Sequence, residues 1–350
     1  SVAACNGGYQ WDLFDPVGGI NMPGAWNITT GSPDIRVAVI DTGALPSHPD
    51  LANRFVGGYD MIMDCAVAND SQPGVCTWSG VYPLNQPNLL SRDPNPADAG
   101  DWITPQESTG LGPGQPPYDW FFDCHVDGSS WHGTHVAGTI GAIANNGMGI
   151  AGINWVSKIV PMRVLGKCGG YDSDIADAMV WATGGAIVGL PMNANIARVL
   201  NLSLGGGGSC SATEQNAINA ALAAGAVVVV SAGNANANAA GYSPASCSGV
   251  ITVAATIKDG RRARYSNYGA VVDIAAPGGN ADGIDPDILS TLNSGATLPN
   301  ANGYNYVRYA GTSMAAPHVA GVASLMLSVN PALTPAQVSS MIQTTARTFP

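Results

Sequence analysis

The sequence predicts an α/β protein with a mostly parallel central sheet and helices on both faces. Three observations carry that prediction. β-branched apolar runs alternate with helical runs along the second half of the chain, as strands joined by helical crossovers do. The clearest such run is Ile35-Arg36-Val37-Ala38-Val39-Ile40, apolar without a break after Arg36, the pattern of a strand covered on both faces. Polar residues with chemistry to offer (Asp41, Ser203, Asn234) stand at or just past the ends of such runs, where sites gather in parallel sheets. No Pro/Gly/Ser-rich linker divides two complete hydrophobic patterns, so residues 1–350 are expected to form a single domain.

Residues 1–34 read as an irregular lead-in, with a short helix at Pro23-Gly24-Ala25-Trp26. The strand over 35–40 ends in Asp41-Thr42-Gly43. A long insertion follows, residues 61–128, rich in Pro, Gly, Asn and Asp and interleaved with Trp78, Tyr82, Trp102, Tyr118, Trp120, Phe121 and Phe122. Loops of that length are functional or disordered as a rule. His132 then opens a small-residue helix in Ser130-Trp131-His132-Gly133-Thr134-His135. Strand over 159–165, helix over 173–182 and strand over 199–202 come next. Ser211 with Glu214 forms a capping box that starts another helix. Strands are expected over 226–230, 250–254 and 271–275. In Gly311-Thr312-Ser313-Met314-Ala315-Ala316-Pro317-His318 a buried helix is expected to begin at about Met314. That start puts Pro317 in the first turn, where N–H groups lack helical partners anyway. It also sets Ser313 at the positive end of the helix dipole. Thr334-Pro335 starts the last helix, with Pro at its first position.

Composition narrows the classes. Charged residues make up 11% of the 350, Gly counts 45, and 46% of the chain is apolar, enough for a large core. The net charge of −11 speaks against nucleic acid or an anionic membrane as a partner and suits a cation such as Ca²⁺. The opening Ser1-Val2-Ala3-Ala4 has no basic or apolar leader pattern, so a mature form is expected. No uncharged run reads as a membrane span. Seven Cys in a Lys-poor chain suggest an oxidising compartment; six can pair in many ways, and no CxxC occurs.

A Ser at a helix start is ordinarily just an N-cap. Here it has partners: an Asp at a strand end, a His opening a helix, and the Ser last. The order Asp, His, Ser is the one described for subtilisin, and it is borrowed from that system. With Ser231-Ala232-Gly233-Asn234 and Asn201-Leu202-Ser203-Leu204-Gly205-Gly206 added, the five blocks resemble the subtilase (subtilisin-like serine protease) family from about Trp11 to the C-terminus. The acidic balance and Cys pattern also resemble the acidic extracellular subtilases of the sheep footrot bacterium.

The resemblance implies a subtilisin-like three-layer fold and a secreted endopeptidase, with signal and propeptide removed, acting on proteins and peptides, expected as a monomer. It implies Asp41, His132 and Ser313 as the triad and Asn234 as oxyanion donor. Substrate would lie as an added strand between Gly169-Gly170 and Ser203-Leu204-Gly205, with a primary pocket walled by 204–206 and by Ser231, Ala232 and Gly233. Small residues there suggest a large apolar side chain in the pocket. The family pattern pairs Cys124 with Cys168 and Cys210 with Cys247; Cys65 would then pair with Cys76, leaving Cys5 over. Structural Ca²⁺ is implied at two or more places. Asp50 and Asn145 are candidates, as are Asp60, Asp64, Asp93, Asp98 and Asp101, although a solvated acidic loop explains the last five as readily.

The insertion departs from compact subtilisins. Either it is a calcium-pinned surface loop, or the Cys65/Cys76 and 77–92 region is an exosite for protein substrates, with Arg92 able to alter its contacts. His135 lacks the i, i+4 partner and Glu of a zinc motif and is read as structural, like His318; His48 and His125 are read as loop residues. A nucleotide-binding protein is excluded by the lack of GxGxxG or GxxxxGK[ST] after a strand. A non-catalytic subtilase-fold module that binds protein has no need of all four reactive residues.

Overall fold

The computed structural model of the chain describes residues 10–68, 92–109, 121–283 and 286–348. Its strands are β1 (Arg36–Asp41), β2 (Tyr59–Asp60), β3 (Lys158–Arg163), β4 (Val199–Leu202), β5 (Gly206–Gly207), β6 (Val227–Ser231), β7 (Tyr242–Ser243), β8 (Ile251–Thr256), β9 (Ile274–Pro277), β10 (Ile288–Asn293) and β11 (Tyr304–Tyr309). The helices are α1 (Trp11–Phe14), α2 (Met22–Trp26), α3 (Cys65–Ala68), α4 (Pro105–Ser108), α5 (His132–Gly141), α6 (Asp172–Ala182), α7 (Ala212–Ala223), α8 (Thr312–Val329) and α9 (Pro335–Thr345).

Seven strands form one parallel sheet in the order β2-β3-β1-β4-β6-β8-β9. Side chains alternate across each strand, so a sheet covered twice needs apolar residues at every position. On one face Val37, Val39, Val199, Val229 and Val253 meet Val136 and Ile140 of α5, Val319 and Leu327 of α8, and Val338 of α9. On the other, Ala38, Ile40, Val160, Leu200 and Val228 meet Met179 of α6 and Ile218 of α7. Each fully buried Val, Ile or Leu contributes about 1.5–3 kcal/mol. This double burial is why the middles of the strands are mostly apolar, with the polar residues largely at their ends.

The register aligns the strand ends. Asp41 faces Arg163 across β1 and β3, and Leu202 faces Val230 across β4 and β6. Asp41, Ser203 and Ser231 therefore share one rim. β1 has β3 on one side and β4 on the other, so the strand order reverses beside Asp41, where ligands bind in such sheets.

Three local expectations differ from the structure. Residues 271–272 belong to a turn, closed by Val272 N–H to the Gly269 carbonyl with Gly269 at φ +119°, so β9 starts only at Ile274. Turn geometry overrides the β-propensity of the two valines. The β10–β11 hairpin, antiparallel from Ile288↔Tyr309 to Asn293↔Tyr304, carries no strong apolar alternation and was not expected. Finally, α8 begins at Thr312, not Met314, so Pro317 lies inside the helix beyond its first turn. By length and composition α8 could cross a membrane, yet 72% of it is buried as the core helix under the sheet.

Candidate active site

Asp41 ends β1 with no solvent exposure. Its Oδ1 accepts from its neighbour's Thr42 N–H and from His132 Nδ1, both at 2.8 Å. A carboxylate can only accept, so Nδ1 carries the proton, and a neutral His132 presents Nε2 as a base. Asp41 Oδ2 is buried without a partner.

His132 is the first residue of α5, and the helix start is built around it. The preceding Trp131 is the N-cap in left-handed conformation (φ 50°, ψ 32°), which is costly for a bulky residue. It is held there by its indole N–H to the Gly295 carbonyl (2.8 Å) and by packing against Leu45 and Leu292. The helix-start N–H groups of His132 and Gly133 go to hydroxyls, Ser130 Oγ at 3.3 Å and Thr42 Oγ1 at 3.0 Å. Gly133 must be glycine: a Cβ would stand 2.0 Å from the Gly43 carbonyl. Burial pushes the His132 pKa down, but Asp41 beside it, with Asp101 and Asp98 further off, outweighs burial and leaves it above its ordinary value.

Ser313 lies in the first turn of α8, with its Oγ donating to the Ser203 carbonyl at 3.1 Å. Asn234 follows β6; its Oδ1 accepts from Thr312 N–H and Oγ1–H, both at 2.9 Å. Thr312 Oγ1 in turn accepts from Gly233 N–H at 3.1 Å. These bonds orient the Asn234 amide so that its NH₂ is free. A side-chain carbon at Gly311 would lie 3.6 Å from both Asn234 Nδ2 and Ser313 N, so the two donors flank one point.

The rim segments form a groove. Gly169 (φ +105°) and Gly206 border open space, where an added Cβ meets nothing within 4 Å. Gly170 is packed, with a Cβ clashing at 2.1 Å from the Val164 carbonyl, and Gly205 lies against Ser243 O. Leu204 and Ala232 are buried, and Ser231 Oγ holds the Leu204 carbonyl at 3.0 Å. Beside them β5 pairs with β7, Gly206↔Ser243.

Disulfides join Cys124 to Cys168, next to Gly169, and Cys210 to Cys247. Cys5 and Cys76 lie outside the described residues, and so does 77–91 of the suggested exosite. Arg92 is not a surface residue: its guanidinium is buried against Asp174 (2.6 Å), Asp177 (2.7 Å) and the Met61 carbonyl (2.7 Å). It anchors the insertion to α6.

The acids predicted as ligands are dispersed among other partners. Asp60 is paired with Arg163 and accepts from Ile62 N–H. Asp64 accepts from Val67 N–H and Tyr171 OH, both at 3.4 Å, and Asp93 from Asn95 N–H at 2.6 Å. Asp98 receives Thr42 Oγ1–H (2.6 Å) and Gly100 N–H (2.9 Å). Burial, then repulsion from Asp101, pushes the Asp98 carboxyl up to about 7. Asp101 holds Ser130 through N–H and Oγ–H, both at 2.6 Å. Among the described residues no three of these carboxylates bring ligand atoms within 4.8 Å of one another. The group that does so, Cys210, Cys247 and Glu214, has its sulfurs in a disulfide.

Asp50 is different. It is fully buried against the 145–150 loop, accepting from Asn146 Nδ2 (2.6 Å) and Ile150 N–H (3.0 Å). Burial holds its carboxyl above the ordinary range despite those bonds, a situation a cation would relieve. Asn145 and Gly147 turn through left-handed conformations, φ 62° and 81°. Carboxylate, side-chain amide and carbonyl oxygens are the donor type that Ca²⁺ takes, and Asp50 and this loop carry all three.

The remaining histidines lie apart from the reactive set. His135 is buried, stacked on Tyr309 (4.6 Å), bonded to the Val307 carbonyl and pushed down to about 3 by burial. His318 bridges Met314 O and Asp12. His48 lies between Tyr304 and Tyr306, and His125 is exposed. Thr42, Thr312 and the Ser203 hydroxyl were not picked out from sequence. For the two threonines the signal was present, as hydroxyl residues directly beside Asp41 and Ser313; Ser203 has no such neighbour.

The sequence model of the Subtilase family, peptidase S8, matches residues 32–349. The chain is a subtilase. This subtilase is 49% identical over 342 residues to an "Extracellular protease" of Xanthomonas campestris pv. campestris, covering 97% of the chain and 52% of that protein. It is 42% identical over 343 residues to the "Extracellular basic protease" of Dichelobacter nodosus, the footrot bacterium, covering 97% and 51%. The subtilase thus spans about half the length of these curated relatives. Among solved structures it resembles a protease from Pseudoalteromonas arctica, with TM-score 0.85, 46% identity, and 97% and 91% coverage. Its fold is that of subtilisin-like proteases.

Proposed function

We propose that this subtilase is a secreted endopeptidase that hydrolyses protein through a covalent acyl-enzyme on Ser313. The observation that carries the reading is the Asp41 to His132 Nδ1 bond of 2.8 Å at the rim where Asn234 Nδ2 and Ser313 N flank Gly311. Ser313 Oγ rotates off the Ser203 carbonyl and gives its proton to His132 Nε2 as it attacks the peptide carbonyl. Asp41 fixes the tautomer and stabilises the imidazolium, which then protonates the leaving amine. Asn234 and the Ser313 N–H take the oxyanion. Substrate pairs as a strand along Gly169-Gly170 and 203–205, and a large apolar side chain enters between 204–206 and 231–233.

Ca²⁺ has a structural part. Asp50, Asn145 and carbonyls of the 145–150 loop would hold it, locking that loop to the strand side of the site; it supplies charge to a buried carboxylate and no step of the reaction. Residues 77–91 serve as an exosite: their deletion should spare short-peptide cleavage and slow cleavage of large proteins, and equal loss on both would reject it.

A fluorophosphonate should label Ser313 alone and abolish casein hydrolysis in proportion to labelling. Casein hydrolysis that survives full labelling would overturn the reading, and would favour a protein-binding module if no hydrolysis is ever seen.

A further inference from the structure

In an α-helix the carbonyl of residue i accepts the N–H of residue i+4. For Ser313 that residue is Pro317, which has no N–H. Because α8 starts at Thr312, this gap falls inside the helix and leaves the backbone carbonyl of Ser313 without its α-helical partner. A buried carbonyl in that state is costly unless another donor arrives. The donor is Ser203, 2% exposed and one residue past β4, whose Oγ–H reaches Ser313 O at 2.8 Å. Asn201 Nδ2 donates to the same Ser203 Oγ at 3.0 Å, taking one of its two lone pairs, while the hydroxyl proton goes to the Ser313 carbonyl, which can only accept. In return, Ser313 Oγ donates to Ser203 O at 3.1 Å.

We propose that Pro317 and Ser203 form a positioning device for the nucleophile, in which Pro317 withholds a helical N–H so that the Ser203 hydroxyl can tie Ser313 to the substrate-binding strand. The proposal rests on the reading of Ser313 as nucleophile. Its consequence is geometric. The atom that attacks and the strand that holds the substrate are joined by one hydroxyl, so the distance between them is set by a hydrogen bond and not by two separate elements. Two further hydroxyls complete the same interlock: Ser231 Oγ on the Leu204 carbonyl, and Thr312 Oγ1 between Gly233 N–H and Asn234. Ser203 and Pro317 are positioning residues; neither side chain meets the reacting carbon.

Ser203→Ala keeps the backbone that substrate pairs with and removes only the tie. Pro317→Ala offers the missing N–H, which competes for Ser313 O. The two changes therefore act on one bond and should be strongly non-additive. The experiment is a cycle of S203A, P317A and the double variant, with S203T as the conservative rescue. It reads kcat and KM on a short peptide, fluorophosphonate labelling of Ser313, and thermal midpoint. S203A should lower kcat by roughly 10- to 100-fold with KM within about twofold, and S203T should restore most of it. Adding S203A to P317A should cost less than about threefold further. A loss in KM instead of kcat, failure of S203T to rescue, or full multiplication of the two effects would each overturn the proposal. If P317A does not fold, S203A against S203T still decides through the kcat loss and its rescue. Absence of Ser313 labelling in the parent protein would instead defeat the nucleophile reading itself, so the two failures are told apart.

Discussion

The catalytic rim and the inserted segment are held together by different chemistry. At the rim, the ties are neutral groups: Thr42 to Gly133, Ser203 to Ser313, Ser231 to Leu204, Thr312 to Asn234. Asp41 and His132 share a hydrogen bond there that becomes an ion pair when the ring is protonated, and Asp60 pairs with Arg163 at the same strand ends. The insertion is pinned by charges and sulfur: Arg92 to Asp174 and Asp177, Lys167 to Glu107 at 2.5 Å with its ammonium over the Trp102 ring, and the disulfide between Cys124 and Cys168. A sheet rim is already placed by its strands, and short hydroxyl bonds only refine it. The described parts of the insertion hold the short helices α3 and α4, and strong long-range anchors fix them. The comparison teaches that rim substitutions should read out in rate and insertion-anchor substitutions in stability.

The largest effect expected is on the rim. Ser313→Ala or His132→Ala should cost about 10⁴–10⁶ in kcat with the unfolding midpoint nearly unchanged; the upper magnitude is the one measured on subtilisin itself. Large destabilisation with retained turnover would break the comparison at its first point. On the insertion side, Arg92→Ala strands Asp174 as a buried unpaired carboxylate, which costs about 3–5 kcal/mol. Urea unfolding should show that loss while short-peptide kcat at low temperature stays close to the parent's. Asn234→Ala should lower kcat about 10²–10³-fold, again the subtilisin value, with stability preserved. The smallest effect sharpens a boundary case. Calcium at 100-fold over its dissociation constant should stabilise the parent by about 2.7 kcal/mol, and Asp50→Asn should remove most of that response in a thermal titration. An undiminished response would move the ion elsewhere.

Much of the rim was legible in the sequence. A mostly apolar run ending in Asp41, a helix opened by His132 and a strand ending before Asn234 follow from double burial of a parallel sheet. The capping box at Ser211 and the helix start at Thr334-Pro335 were equally local and were found, and the structure adds a second capping box at Thr334 with Gln337. What escaped depends on contacts between distant segments. The start of α8 was set two residues late because Pro317 was assumed to need the first turn; Ser203, 110 residues away, supplies the compensation that permits it inside the helix. Arg92 looked like a surface residue because its partners, Asp174 and Asp177, lie 82 and 85 residues further on. Sequence spacing puts the acidic residues of the insertion in one set, while their described hydrogen bonds run to several different segments, Arg163 for Asp60, Thr42 for Asp98 and Ser130 for Asp101.

The central claim, that Asp41 holds a base ready for Ser313, is tested most directly by the pH dependence of kcat/KM on a short peptide. The reaction needs neutral His132. A pKa above the ordinary 6.5 keeps the ring protonated to higher pH, so activity should fall as pH drops through a midpoint above 6.5. In Asp41→Asn that midpoint should move down, with kcat reduced by about 10⁴. A parent midpoint at or below 6.5, unmoved by Asp41→Asn, would contradict the account.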